Sequence, residues 1–458
     1  MVGFSFLILF GAVVFGYAMN RMAATSLRTK GERLHSLSGF HGAYSGLLVG
    51  LPGVILILVW LILQPRIIDS MTMGSLPAEA LSGVDKGGLA LILAEIQSIS
   101  RGQIFGAPSD WKLDAAESMT AWHASASAAL VVIVGLMSVA LLIFARSRVS
   151  KSFRARHGVE RIVLGLMIFC STIAVFTTIG IVLSLVFESI KFFRLVPINE
   201  FLFGLRWEPQ IAIRADQVAG QGAFGVLPVI LGSVLIMAVA LVIAVPIGLF
   251  AAIYLNEFAS RRVRSVVKPL LEILAGVPTI VYGFFAILVA APFLRNAGAS
   301  LGIEVSPNTA LAAGLCMAIM LIPFISSFTD DALSAVPRSL SDGSLALGAT
   351  RGETMLRVLF PAAIPGIVGG VLLAVSRAIG ETMIVVMAAG IIAKLTINPL
   401  DTVTTVTVQI VTLLIGDTEF DNPKTLAAFA LGMLLFAITL GINILALRMV
   451  RKYRELYD

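Results

Sequence analysis

The sequence predicts an all-α, polytopic membrane protein, and three features carry that prediction. Of its 458 residues, 58% are apolar and only 13% are charged, too little charge to clothe a soluble fold of this length. Nine stretches are apolar over a length that crosses a ~30 Å hydrocarbon core. The basic residues gather in short connections between those stretches, so the net charge of +6 marks loop-directed orientation rather than nucleic-acid binding.

The predicted spans lie at 2–19, 40–63, 121–145, 162–188, 224–254, 270–294, 308–328, 366–392 and 426–449. The first is followed, not preceded, by positive charge, which predicts a retained anchor with its N-terminus outside rather than a cleaved signal peptide. Four basic clusters then fall on one side: Arg21, Arg28, Lys30 and Arg33; Arg146, Arg148, Lys151, Arg154, Arg156 and Arg161; Arg261, Arg262, Arg264 and Lys268; and Arg448, Arg451, Lys452 and Arg454. That side is expected to be the cytoplasm. The long loop 65–120 carries Asp69, Glu79, Asp85, Glu95, Asp110, Asp114 and Glu117, and 394–425 carries Asp401, Asp417, Glu419 and Asp421. Both are expected outside.

The basic linker at 146–161 separates an N-terminal region, 1–155, with three spans and an external loop, from a region 156–458 with six spans. Cys170 and Cys316 lie far apart in apolar spans and are expected to be small core residues. His35, His41, His123 and His157 lack metal-ligand spacing, and no phosphate-cradling GxxxxGK[ST] loop or catalytic constellation is present. No ATP hydrolysis, metal or cofactor chemistry is therefore expected of this chain itself.

Two stretches carry the chemistry. Residues 330–365 sit between two spans but are too patterned for a plain connection. Leu345, Gly348, Ala349, Met355, Leu356, Val358 and Leu359 recur at roughly helical intervals around Arg351, Glu353 and Arg357, which predicts two short helices about a break near Gly348. Pro361 and Pro365 are expected to stop or kink the chain before the next span. A protruding helix of this kind suits a groove on a partner.

In the eighth span, Arg377 lies about eleven residues in, or ~16 Å at 1.5 Å per residue, which places it near the bilayer midplane. A guanidinium there costs at least ~2.5 kcal/mol on insertion scales and should face a polar cavity or a partner. Glu381, four residues on, is expected to share its helix face and pair with it. The pair could hold a pore closed and exchange its carboxylate for a passing anion, since the guanidinium fork matches oxyanions and stays charged. A buried pair that only fixes packing is the alternative.

These residues resemble a known family. Asp342-Gly343-Ser344, then Gly348 with Ala349, Thr350 and Arg351, then Val358-Leu359-Phe360-Pro361, are similar to the EAA loop of ABC-importer permeases, although Asp stands for the usual Glu and Gly-Ser for Ala-Ala. Gly343 should cost that helix ~1 kcal/mol relative to Ala. The run Ser376-Arg377-Ala378-Ile379-Gly380-Glu381-Thr382 and the stretches 201–210, 246–283 and 330–340 resemble PstC-type phosphate permeases over about residues 160–458. The resemblance implies a six-helix, type I ABC importer permease core (MetI-like) plus three N-terminal helices. It implies coupling through Asp342, Gly343, Ser344, Gly348, Ala349, Thr350, Arg351 and Pro361, and a substrate pathway at Arg377, Glu381, Thr382 and Ser376. It also implies partners: a PstA-type second permease, two PstB-type ATP-binding subunits and a PstS-type periplasmic phosphate-binding protein. A permease for sulfate or molybdate, an ion-coupled secondary anion transporter and a membrane scaffold or sensor are the rival readings.

Overall fold

The computed structural model describes residues 2–29, 34–77, 85–103, 106, 108–210, 222–415 and 422–454. Lys30, Arg33, Glu79, Arg214, Asp417, Glu419 and Asp421 lie outside the described residues. Nine helices among the described residues are long and apolar enough to span a membrane. Many apolar side chains on them are exposed, among them Phe176, Val242 and Phe293, as expected of surfaces that meet lipid. The chain divides into two compact units, Met1–Phe176 and Thr177–Asp458, and the division falls within a helix, Ala155–Leu195, not in the 146–161 linker.

In the first unit, α1 (Val2–Thr29), α2 (Ser38–Ser75) and α4 (Asp110–Ser147) pack around Leu9, Val49, Ile57, Leu130 and Val134. Glycines permit the close approach: Gly53 lies against Leu9, and Gly16 against Ser45 and Leu142. At 38 residues each, α2 and α4 are about 57 Å long and must project beyond the hydrocarbon. Their projecting ends and α3 (Lys86–Ser100) form a second core around Ile68, Ile96 and Met119. Hydrogen bonds from Lys112 to Glu95 (2.6 Å) and from Gln97 to Asp69 (3.0 Å) tie it together. Much of the predicted 65–120 loop is therefore helical. Its polar residues masked a helical continuation that period alone would have shown. The helix containing the division is α5 (Ala155–Leu195), and Cys170 on it is exposed, contrary to the core role expected, whereas Cys316 is buried.

In the second unit, α6 (Ile198–Phe203) and a two-residue hairpin, β1 (Trp207–Glu208) and β2 (Ala223–Phe224), bury Phe192, Phe201, Trp207 and Phe224 together. Next come α7 (Leu227–Ile253, with a π-turn at Tyr254–Phe258), α8 (Arg261–Ala275), α9 (Thr279–Phe285, with a π-turn at Ala286–Ala290) and α10 (Ala291–Ser300). The sixth span is Thr279–Ser300 rather than 270–294, because Gly276 and Pro278 end α8, whose polar face buries no residue.

The central member is α11 (Ala310–Ser334), the most buried of the spans. It lies along α7, with Gly314 against Ile236 and Val239 and Gly248 against Ile322 and Ile325. After it come α12 (Arg338–Ala346), α13 (Arg351–Thr354), a π-turn at Met355–Leu359 and α14 (Phe360–Ile379). The last three form one continuous helix. Pro361 and Pro365 neither stop it nor precede it, contrary to expectation. The π-turn closes on the Phe360 N–H, which donates to Met355 O immediately before Pro361. On the other face, Gly366 meets Ala332 and Gly370 meets Phe328, so α14 runs antiparallel to α11 in close contact. The chain finishes with α15 (Met383–Ala388), α16 (Val406–Leu414) and α17 (Pro423–Arg454).

Gly232 of α7 illustrates how tightly this unit is packed: a Cβ there would collide with the Thr404 carbonyl. Gly232→Ala is expected to lower stability by about 1–3 kcal/mol. Gly441→Ala, where a Cβ meets nothing within 4 Å, should be neutral or better. Thermal unfolding midpoints in detergent check the contrast.

Candidate functional site

The eighth span does not run unbroken to residue 392. It ends at Ile379, and Gly380–Thr382 separate it from α15. Gly380 is a poor helix former, and the Glu381 carboxylate folds forward onto the next helix. Its Oε1 accepts the N–H groups of Met383 (3.0 Å) and Ile384 (3.3 Å), capping α15 at the end where the helix dipole favours negative charge. The expected Arg377–Glu381 pair is therefore not formed.

Arg377 contacts no carboxylate among the described residues. Its guanidinium lies over the Phe324 ring, 5.4 Å from the centroid, and the residue is exposed at the surface of its own chain. Phe324, itself edge-on to Phe328 at 4.7 Å, stands 14 residues from Ala310 and 10 from Ser334 in α11. At 1.5 Å per residue those are about 21 and 15 Å, so the stacked cation sits near mid-depth of the span. The ring contributes ~0.5–2 kcal/mol, which leaves most of the guanidinium's donors unsatisfied by this chain. Ser376 and Thr382 flank it half-buried, with the Thr382 hydroxyl donating to Gly380 O at 3.4 Å.

The break is held in place by a polar segment that sequence reading passed over. Thr407 donates to Glu381 O (2.9 Å), and Thr405 and Thr407 share a hydrogen bond of 3.0 Å. Gln409 donates to Ile391 O (2.8 Å) and accepts from the Trp207 indole (2.8 Å). The Ser233 hydroxyl accepts from Val406 N–H at 3.0 Å. These side chains are buried, so each hydrogen bond replaces one that water would otherwise supply. The threonine-rich run 402–407 was the available signal. Beyond it, Asp401 accepts from Thr396 (2.7 Å) and pairs with Lys394 (3.0 Å). The Thr396 hydroxyl first, then Lys394, hold its carboxyl below the usual carboxylate range.

A second missed group is Asp330. The predicted span stopped at 328, yet α11 continues to Ser334 and buries Asp330 to 5% exposure. Its carboxylate takes both Arg264 Nη2 contacts (3.0 and 3.1 Å), Lys268 Nζ (2.6 Å) and Asn256 Nδ2 (2.7 Å). It thereby joins the π-turn after α7, α8 and the end of α11. A cavity of ≈ 350 Å³ beside it is lined by Phe324, Ser326, Ser327, Lys268, Glu272 and Asp330 among others. An acid at the end of an apolar run, with a basic amphipathic segment 62–66 residues upstream, was the legible hint.

The break predicted near Gly348 is present, with φ +88°, but only the helix before it, α12, is short; α13 after it is the first turn of the long helix that runs to Ile379. Only glycine adopts that conformation without strain. Thr350 caps α13 in a reciprocal box with Glu353, and Ser344 bonds Thr354 at 2.9 Å. Asp342, Gly343, Arg351 and Pro361 are exposed, Ala349 is half-buried, and Leu347 at the tip is 91% exposed.

Removing a carboxylate from between two cations leaves them uncompensated. Asp330→Ala is expected to destabilise the second unit by about 1–3 kcal/mol, discounted because both cations are 38% exposed. Glu381→Ala should lose the cap, about 0.5–2 kcal/mol, while Glu381→Gln keeps an acceptor and most of that stability. Unfolding midpoints of the purified variants check both.

Residues 5–177 match the family model described as "Phosphate ATP-binding cassette transporter", and 244–455 match "Binding-protein-dependent transport system inner membrane component". A probable ABC transporter permease of Bacillus subtilis is 32% identical over 272 residues, covering 59% of this chain and 84% of its own length. The phosphate transport system permease PstC of Mesorhizobium japonicum is 35% identical, covering 50% and 74%. That of Haemophilus influenzae is 33% identical, covering 60% and 88%. The chain belongs to the PstC-type phosphate ABC transporter permease family of multi-pass inner-membrane transport subunits.

Proposed function

We propose that this chain is the permease subunit of an ATP-driven importer that carries inorganic phosphate across the inner membrane, and that Arg377 meets the anion at mid-depth. The observation that carries this reading is the placement of Arg377: a permanently charged fork two residues from the end of its own broken helix, level with the mid-part of α11 through its stack on Phe324, free of any acid of its own among the described residues, and exposed. Such a group must be solvated by a partner subunit or by water, and both occur along a pore between two permease chains. Glu381 acts differently from a gate acid. It fixes the broken helix that presents Arg377, with Ser376 and Thr382 beside it.

The partners follow from family and geometry. An ATPase chain and a substrate-binding protein complete a transporter of this family. The finer assignment, a PstA-type permease, two PstB-type ATPases and a PstS-type binding protein, is part of the proposal. The 335–361 segment is the ATPase contact, because an apolar Leu347 this exposed outside the spans suits a partner's groove. Asp342, Gly343, Ser344 and Arg351 surround that tip, and Gly348 with Thr350 sets its shape. Residues 156–458 form the transport domain, with 1–155 an addition to it. The loop side is the cytoplasm, which places the N-terminus outside and the C-terminus inside. Movement of the loop on ATP binding is transmitted along the continuous helix 351–379 to Arg377. It reaches α11 too, through Asp330 at its loop-side end.

In proteoliposomes holding the assembled complex, Arg377→Ala should reduce phosphate uptake at least about tenfold with ATPase subunits still bound, as expected for loss of a charge-assisted contact of ~1.5–3 kcal/mol. Wild-type uptake by that variant would remove Arg377 from the path. Excess sulfate or molybdate should leave phosphate uptake intact. Leu347→Glu should instead cost co-purification of the ATPase chain without affecting membrane insertion. Gly348→Ala should weaken that co-purification through roughly 1–2 kcal/mol of backbone strain.

A further inference from the structure

The first unit holds a cavity lined by basic side chains. Where α4 ends at Ser147 and α5 begins at Ala155, a space of ≈ 570 Å³ is lined by Arg148, Arg154, His157 and Arg161. No carboxylate lines it among the described residues. The nearest acid in sequence, Glu160, is taken by Arg156 at 2.6 Å, outside the lining. Arg154, His157 and Arg161 recur at helical intervals on one face of the start of α5, and Arg148 is steadied over the Phe144 ring at 4.9 Å. Ser150 and Ser152 add hydroxyl donors.

Tyr44 gives the space its depth. It lies in the second turn of α2, its ring edge-on to Phe153 at 5.1 Å and against Gly158, where a Cβ would come within 2.9 Å of the ring. Orientation of a membrane protein requires only that basic residues be present in a loop; it does not require them to converge. Arg146 and Lys151 serve it from the same loop without lining the space. Three guanidiniums facing one cavity repel each other unless an anion sits among them. Forked donors, hydroxyls and a position at the ends of spanning helices match a phosphate group. Phe144 and Leu164, exposed nearby, offer an apolar flank.

We propose that Arg148, Arg154, Arg161 and His157 form a binding site for a phosphate-bearing anion, supplied either by an anionic phospholipid headgroup or by free inorganic phosphate. The proposal does not rest on the transport reading. Its test uses the full chain in an Arg377→Ala background, so that any anion measured is not on the proposed path. In one arm, nanodiscs mixing phosphatidylglycerol with phosphatidylcholine are examined by native mass spectrometry for retained phosphatidylglycerol. In the other, phosphatidylcholine nanodiscs are titrated with radiolabelled inorganic phosphate.

Saturable binding is expected in one arm, and the arm identifies the source. Arg154→Gln should weaken it about fivefold, and Arg148→Gln/Arg154→Gln/Arg161→Gln at least about tenfold, from ~1 kcal/mol per basic residue near a membrane surface. Arg146→Gln, which removes the same charge from the same loop, should leave it unchanged. Arg148→Lys/Arg154→Lys/Arg161→Lys preserves the charge that orients the chain and should still bind severalfold more weakly. Three results would overturn the site: no saturable binding in either arm, equal loss from Arg146→Gln and Arg154→Gln, or undiminished binding by the triple lysine variant.

Discussion

A guanidinium at hydrocarbon depth has to be solvated by something, and in this protein its own chain declines to do it. Among the described residues Arg377 has the face of Phe324, worth far less than the hydration a guanidinium gives up at that depth. That deficit is what makes the second unit unfinished by itself. The surface carrying Arg377 must meet water, a partner chain or a passing anion, and the surrounding architecture serves to present it there. The break at Gly380–Thr382 ends the helix just beyond the cation. The buried threonines and Gln409 hold the returning segment, and Gly366 and Gly370 let α14 lie close enough to α11 for the stack to form.

The same helix leads in the other direction to the exposed loop proposed to meet the ATPase chain. From Arg351 to Ile379 the chain is helical without interruption, with the π-turn at Met355–Leu359 lying just before Pro361. A displacement of the loop at Gly348 has a helical route to Arg377, with the π-turn, Pro361 and Pro365 as the places along it where the helix bends most readily. Asp330, locked to Arg264, Lys268 and Asn256, ties the neighbouring helix to the amphipathic α8 at the same end. The cation and the exposed loop lie at the two ends of one continuous helix.

Much of this was legible in the sequence. The nine spans among the described residues followed from apolar length, and the break at Gly348 followed from periodicity around it, although the helix after that break proved to be the start of the eighth span. The cost of placing Arg377 in a span pointed to it as the central residue. What sequence missed were choices between local and distant partners. Spacing of four predicted an Arg377–Glu381 pair, but Gly380 ended the helix and the carboxylate found two backbone N–H groups ahead of it. Prolines predicted a stop where the helix runs on. Asp330 read as a loop residue because its compensating cations lie 62 and 66 positions away, a distance no local pattern encodes.

The central claim is most directly tested by placing a cysteine at position 377. In the assembled complex, with Cys170 and Cys316 replaced by serine, Arg377→Cys should react with a charged, membrane-impermeant thiol reagent, and phosphate should slow that reaction. Reaction only with apolar reagents, at a rate indifferent to phosphate, would place the position against acyl chains and contradict the account.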